Sequence, residues 1–128
     1  MIMLDTHAWI WWTNESSKLS QGAFNTIQDK DRLGVSVISC WEVAMLVDKQ
    51  RIGFKMDVQD WIDMALELPK IQLIPLDPKS AVLSSRLPGT FHADPADRLI
   101  VATCLNLGLS LITKDKRIAR WGQIHVIW

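Results

Sequence analysis

Five short apolar segments recur along the chain, and stretches with helical character separate them. The segments cover residues 2–4, 35–38, 71–76, 109–113 and 124–127. The stretches between them carry apolar residues at helical spacing and open at capping signals such as Ser20, Asp57 and Asp77-Pro78. Strands that alternate with helices pair into a parallel sheet with helices on both faces. The sequence therefore predicts an α/β fold.

The size and composition of the chain limit what it can be. Its 128 residues suffice for a buried core, and we expect residues 1–128 to form a single domain. Basic and acidic residues both number 14, so the net charge is zero. This balance argues against binding of nucleic acid through overall positive charge, although it leaves room for a local basic patch. No apolar stretch approaches the length of a bilayer span, so we expect a cytoplasmic protein without membrane contact.

Acidic residues stand beside the apolar segments at four places. They are Asp5, Glu42, Asp97 and Asp115. Asp5 and Asp115 follow the first and fourth segments, and Glu42 is expected in the first turn of a helix capped by Ser39. Asp97 is expected in the first turn of a crossover helix that opens at Asp94-Pro95. Because ligands of an open parallel sheet bind outside the carboxyl ends of its strands, the four carboxylates should meet at that edge.

Such a group of carboxylates has a limited choice of chemistry. Neighbouring carboxylates repel each other, so the site either takes up protons or binds a cation. Oxygen ligands without histidine or cysteine partners favour a hard ion, Mg²⁺ or Mn²⁺. A divalent cation bound in this way on an α/β fold indicates phosphoryl-transfer chemistry. The simpler alternative is that each acid only caps a helix, which contributes about 0.3–1 kcal/mol. For Asp94 both interpretations stay open, whereas Asp5 lies in an apolar opening where an unpartnered carboxylate would be costly.

Four motifs of the chain resemble those of a known family. They are Leu4-Asp5-Thr6-His7-Ala8, the segment 35–42 (VSVISCWE), the block 92–100 (HADPADRLI) and the segment 111–115 (LITKD). In this order and spacing they resemble a PIN domain, and in particular the VapC-like toxins of bacterial type II toxin–antitoxin pairs. The resemblance covers essentially the whole chain.

The resemblance implies a metal-dependent endoribonuclease. A PIN domain has a parallel five-stranded sheet of order 3-2-1-4-5 and usually forms a homodimer. Its carboxylates hold Mg²⁺ or Mn²⁺, which activates a water to cut an RNA phosphodiester, and a toxin of this kind pairs with a cognate antitoxin protein. Asp5, Glu42, Asp97 and Asp115 match the family's acidic positions and are the candidate catalytic residues and metal ligands. Asp94 matches a further acid of one subgroup and is an additional candidate ligand.

Five other residues are candidates for contact with the RNA substrate. Thr6 and Thr113 match small hydroxyl positions of the family, and Arg98, Lys116 and Arg117 supply positive charge beside the acids. A helix cap explains the threonines nearly as well, and a solvated helix end explains the basic residues equally well.

Other assignments compete with a toxin nuclease. A PIN nuclease of RNA processing has the same residues, and a catalytically silent PIN-fold module could serve only to bind a partner. His7 and His92 lie near acids in the sequence and are expected either to orient a carboxylate, to contact substrate or only to cap a loop. The adjacent Trp11 and Trp12 cannot share one helix face, which favours some exposed aromatic surface for a partner.

Overall fold

The computed structural model describes residues 1–128, which form five strands and seven helices. In chain order these are β1 (Ile2–Leu4), α1 (Thr6–Thr13), α2 (Gln21–Asp29), β2 (Leu33–Ser36), α3 (Val37–Asp48), α4 (Val58–Leu66), β3 (Ile71–Ile74), α5 (Pro78–Leu83), α6 (Pro95–Leu107), β4 (Leu111–Ile112), α7 (Lys116–Trp121) and β5 (Val126–Ile127). All neighbouring strands pair in parallel, in the order β3-β2-β1-β4-β5. The expected α/β fold and strand order are confirmed.

The central strand β1 separates two apolar clusters. Ile2 and Leu4 belong to the cluster that includes residues of α1, α2 and α4, whereas Met3 belongs to the cluster formed with α6. None of the three side chains is more than 1% exposed. This alternation is the two-residue period of a strand whose two faces are both covered. Because β1 is fixed on both faces, the residue that follows it, Asp5, has a well-defined place at the carboxyl edge of the sheet.

Two tryptophans fill much of the first cluster. Trp9 of α1 and Trp61 of α4 are at most 2% exposed, and their ring centroids lie 5.1 Å apart in an edge-to-face arrangement. Phe54 stacks on the other face of Trp61 at 4.3 Å, and the indole N–H of Trp61 donates to Asn14 Oδ1 at 3.1 Å. Buried aromatic pairs of this kind join α1 to α4 and hold α1 against the sheet.

The second strand lies two residues earlier than its predicted position. The sequence favours a strand at 35–38 because these residues are largely β-branched, but β2 ends at Ser36. The Ser36 hydroxyl accepts a backbone N–H and caps α3, so Ser39 is not the cap. The prediction for Glu42 is corrected in consequence, because this residue lies in the second turn of α3.

The later strands are shorter than their predicted ranges, and several helix boundaries follow the expected signals. β3 stops before Pro75, which has no N–H to donate to a neighbouring strand. Pro95 opens α6, and Gly108 ends it in the left-handed conformation at φ 67°. None of the helices has the length and apolar character needed to cross a bilayer.

Candidate active site

A polar cleft of about 470 Å³ lies at the carboxyl edge of the sheet. Ten residues line it, namely Asp5, Thr6, His7, Trp11, Glu42, Asp94, Asp97, Lys114, Asp115 and Arg117. They come from the ends of β1 and β4 and from the helices that follow or approach those ends. All five acids that the sequence places at this edge therefore share one cleft.

Asp5 is held by the backbone on both sides. Its N–H donates to the carbonyl of Ile112 in β4 at 3.0 Å, and its Oδ1 accepts the Ala8 N–H at 2.8 Å. This second bond caps α1, so capping does occur at this position. Burial raises the pKa of the Asp5 carboxyl, while hydrogen bonds from the Thr113 hydroxyl and the Ala8 amide act in the opposite direction. The capping hydrogen bond does not fully offset burial, so the charged form of Asp5 is still disfavoured. A cation nearby would stabilise that charged form.

Glu42 reaches the cleft from α3 and is oriented by hydroxyl groups. The buried Thr6 hydroxyl donates to Glu42 Oε1, and it lies 2.9 Å from the hydroxyl of buried Ser39. Burial raises the pKa of Glu42; the Thr6 hydrogen bond opposes this shift, and the charge of Asp94 adds to it. Thr6 and Ser39 therefore orient the Glu42 carboxylate, although burial and the charge of Asp94 disfavour its anionic form.

Asp97 and Asp94 stand together at the start of α6. Asp94 Oδ1 accepts the Asp97 N–H at 2.9 Å and caps the helix, and Asp94 itself is exposed. Burial raises the pKa of Asp97 to about 7, and the charges of Asp94 and Glu42 contribute to the shift. Near neutral pH the Asp97 carboxyl is therefore about half protonated unless positive charge is supplied.

Asp115 differs from the other acids because it already has a cationic partner. Arg117 donates to it in a bidentate arrangement, from Nη2 to Oδ2 at 2.9 Å and from Nε to Oδ1 at 3.2 Å. This hydrogen bonding lowers the pKa of Asp115. Arg117 Nη2 also lies 3.9 Å from Asp97 Oδ2. One arginine thus stands between two of the acids at the outer side of the cleft.

The model of the PIN domain family matches residues 2–123. This chain is a PIN domain. A relative, Ribonuclease VapC22 of Mycobacterium tuberculosis, is 37% identical over 117 residues, which cover 91% of this chain and 88% of the relative.

Among solved structures, two neighbours cover nearly the whole PIN domain. One is a DNA-bound VapBC from Salmonella typhimurium, with a TM-score of 0.71, 18% identity and coverage of 98% of this chain and 97% of that one. The other is VapBC2 from Rickettsia felis bound to a promoter DNA fragment, with a TM-score of 0.70, 18% identity and the same coverage. At this identity the likeness concerns the fold.

Three of the residues expected to contact substrate lie outside the cleft of this PIN domain. Thr113 is 1% exposed, accepts the Asp115 N–H at 3.1 Å and hydrogen-bonds Asp5, so its hydroxyl joins two acids instead of facing solvent. Arg98 donates to the backbone carbonyls of Ser84 and of residues 91 and 92, which uses its guanidinium within the protein. Lys116 is exposed beyond the rim. Thr6 and Arg117 do line the cleft, although both are bonded to its acids.

Two further residues, Lys114 and His92, lie at the cleft. Lys114 lines it, and its ammonium lies 5.8 Å from the ring centroid of Trp11, which in turn packs against His7 at 5.6 Å. In the sequence, Lys114 belongs with Lys116 and Arg117 to the basic residues that surround Asp115. His92 lies just behind the lining, with Nε2 3.3 Å from Asp97 Oδ2. Its proximity depends on the path of the loop before α6, which helical or strand periodicity does not predict.

Proposed function

We propose that residues 1–128 act as a single nuclease domain, a metal-dependent endoribonuclease that serves as the toxin of a toxin–antitoxin pair. The observation that carries the proposal is the group of Asp5, Glu42 and Asp97, whose pKa values are all raised in one cleft at the carboxyl edge of the sheet. The 37% identity to a protein named Ribonuclease VapC22 supports RNA as the substrate. The solved VapBC neighbours support the toxin role over RNA processing.

The residues present fit a hard divalent cation, and we propose Mg²⁺ or Mn²⁺. The acids of the cleft offer carboxylate oxygens, which these ions prefer. Burial disfavours the anionic form of three of them, so bound positive charge would be strongly stabilised there. We propose Asp5, Glu42, Asp97 and Asp115 as the ligands and catalytic residues, with Asp94 as a further ligand. When bound, the cation would neutralise charge on the phosphodiester and make water more acidic.

The chain's own side chains prepare the cleft for this task. Thr6 and Ser39 hold Glu42 toward the cleft, and the buried Thr113 hydroxyl accepts the backbone N–H of Asp115 and opposes the raised pKa of Asp5. Preorganised ligands of this kind lower the cost of placing the scissile phosphate next to an activated water.

RNA requires positive charge around this acidic centre, and the rim supplies it locally. Lys114 lines the cleft and is exposed, and Arg117, which pairs with Asp115, has a side chain that is 60% exposed. We propose that Lys114 binds a backbone phosphate beside the cut and that Arg117 shares its charge between Asp115 and the substrate. Lys116 lies further out and would contact RNA only at the periphery.

We propose two protein partners, a cognate antitoxin and a second copy of the chain. A mostly apolar groove of about 650 Å³ adjoins the acidic cleft and shares Trp11 with it; Trp12, Leu19 and Phe24 also line the groove. A segment of an antitoxin lying in this groove would cover the cleft as well. For the second copy, exposed Trp41 offers an apolar contact on α3, with a side chain that is 52% exposed. With such a substrate and such partners, we propose that the protein acts in the cytoplasm.

The proposal is tested by cleavage of a mixed-sequence single-stranded RNA by the purified chain. We expect cleavage with Mg²⁺ or Mn²⁺, none with EDTA, and none for Asp5→Asn with either metal. Asparagine caps a helix as well as aspartate does, so the variant should fold normally, which its melting curve would verify. Cleavage by Asp5→Asn at the wild-type rate would refute the assignment of this site. Absence of cleavage by the wild type with both metals would instead favour a catalytically silent binding module.

A further inference from the structure

His92 lies in the loop before α6 and presents one particular ring nitrogen to the acids. The backbone N–H of Asp94 donates to His92 Nδ1 at 3.3 Å. A ring nitrogen that accepts a hydrogen bond carries no hydrogen, so the hydrogen of the imidazole is on Nε2. Nε2 is therefore a donor as long as this backbone contact is kept, and it has no lone pair to offer to a metal ion.

The loop that carries His92 is held by contacts on three sides. The Arg98 guanidinium donates from Nη1 to the carbonyls of Phe91 at 3.0 Å and His92 at 3.1 Å, and from Nε to the carbonyl of Ser84 at 2.9 Å. The Phe91 ring stacks on the imidazole with centroids 4.4 Å apart, and Trp121 packs edge-on against Phe91 at 4.9 Å. A loop fixed in this way holds the imidazole in one place.

The donor nitrogen is directed at the acidic centre and is not occupied elsewhere. Nε2 is shielded from solvent and has no hydrogen-bond partner, although Asp97 Oδ2 lies 3.3 Å away. An oxygen of Asp115 also lies within 4.8 Å of it. A buried N–H group without a partner is unusual, and here a small rotation of the Asp97 carboxylate would satisfy it.

We propose that His92 is a positioning residue of the metal centre, whose Nε2–H donates to Asp97 Oδ2 and so directs the other oxygen of that carboxylate toward the cation. The inference rests on the proposed function, because it assigns Asp97 as a ligand. Metal-binding carboxylates are commonly oriented by hydrogen bonds from a second layer of residues, and loss of such a bond weakens metal affinity by roughly 10–100-fold. Arg98 contributes indirectly, because its partly buried guanidinium holds the loop that carries His92 and so has a role other than substrate contact.

The test compares variants at position 92 in the absence of RNA. Mn²⁺ affinity is measured by calorimetry for the wild type, His92→Leu, His92→Gln and His92→Phe. Leucine removes the donor, phenylalanine removes it but keeps the stacking on Phe91, and glutamine places an amide N–H near the position of Nε2. His125→Leu is the matched control, because this exposed histidine precedes β5 at the opposite edge of the sheet. Melting curves verify that each variant folds.

We expect the leucine and phenylalanine variants to bind Mn²⁺ roughly 10–100-fold more weakly, the glutamine variant to recover most of the affinity, and the control to equal the wild type. Recovery of Mn²⁺ affinity in the glutamine variant would show that position 92 acts as a hydrogen-bond donor and not only through packing. Wild-type affinity in the folded leucine or phenylalanine variant would overturn the inference, and so would a glutamine variant as weak as the leucine variant.

A spectroscopic measurement on the unmodified chain does not depend on the folding of any variant. Nitrogen-15 NMR of the imidazole should show hydrogen on Nε2 of His92, and hydrogen on Nδ1 instead would overturn the inference. Failure of the proposed metal centre and failure of the role of His92 alone give different results. If the wild type binds no Mn²⁺, the proposed metal centre fails and the role of His92 fails with it. If Asp97→Asn weakens Mn²⁺ binding while His92→Leu does not, only the role of His92 fails.

Discussion

Replacing Asp97 by asparagine should stabilise the metal-free protein while it abolishes metal binding. Burial and the charges of Asp94 and Glu42 raise the pKa of Asp97 from 3.8 to about 7. In EDTA at pH 8 the Asp97 carboxylate is charged, and its burial and the neighbouring negative charges then destabilise the folded protein. Asparagine has nearly the same shape and keeps an oxygen toward His92 but carries no charge.

The size of the effect follows from the raised pKa. A group whose pKa is higher in the folded state binds protons more tightly there, so its unfavourable contribution is absent well below pH 3.8, grows as the pH rises from 3.8 to about 7, and is complete above about 7. With about 1.4 kcal/mol for each pKa unit, the cost to the folded state approaches roughly 4 kcal/mol at pH 8 and is about 2 kcal/mol at pH 5. The advantage of Asp97→Asn in EDTA should therefore grow by about 2–3 kcal/mol between pH 5 and pH 8.

Urea unfolding in EDTA at the two pH values measures this change directly. The comparison between pH values cancels any fixed effect of the substitution on packing, and Asp31→Asn in an exposed loop serves as the control. Asp115 does not contribute to the difference between pH 5 and pH 8. Its pKa is lowered, so the stability it provides is lost only as the pH falls through that lowered value. If Asp97→Asn raises the free energy of unfolding equally at pH 5 and pH 8, the folded protein does not raise the pKa of Asp97 and the reasoning is refuted.

Three further predictions concern activity, binding and stability. Glu42→Gln keeps an acceptor for the Thr6 hydroxyl and removes a charge that burial disfavours, so its melting temperature in EDTA should be at least that of the wild type while RNA cleavage falls about 100-fold or more; unchanged cleavage would remove Glu42 from the catalytic set. Lys114→Ala should weaken RNA binding and reduce the slope of log affinity against log salt by about 1, whereas exposed Lys18→Ala should leave it unchanged, and equal slopes for the two variants would argue against a phosphate contact. Trp61→Ala removes a fully packed aromatic side chain and should lower the free energy of unfolding by about 3–5 kcal/mol in urea titrations; a loss below about 1 kcal/mol would mean that the cluster repacks freely.

The features that follow from the order of strands and helices could be predicted from the sequence. The apolar run 2–4 is completely buried, so the strand and the position of Asp5 after it could be predicted from the pattern alone. The gathering of the acids followed from the parallel sheet, since every strand that precedes one of them ends at the same edge. The boundary of β2 was missed because 35–38 has strand composition, and the cap at Ser36 and tertiary packing outweigh that local preference.

The finer features of the site could not be predicted because they depend on contacts between distant loops. Arg98 follows an acid in the sequence and suggested substrate contact, but it binds carbonyl groups that only the folded loop from α5 to α6 presents. The same loop brings His92 to Asp97. The pairing of Arg117 with Asp115 is local, at two residues' separation, but a bidentate geometry depends on the turn that opens α7.

The central claim is that the carboxylates of the cleft hold a divalent cation, and its most direct test is a crystal structure of the chain grown with Mn²⁺ and measured at an anomalous wavelength. We predict an anomalous peak in the cleft at about 2.1–2.2 Å from carboxylate oxygens of Asp5 and Asp97, a bond length typical of small hard cations. No peak should be bonded to His92 Nε2. A cleft without an anomalous peak at saturating Mn²⁺, or a Mn²⁺ ion bound only at surface residues elsewhere, would contradict the account.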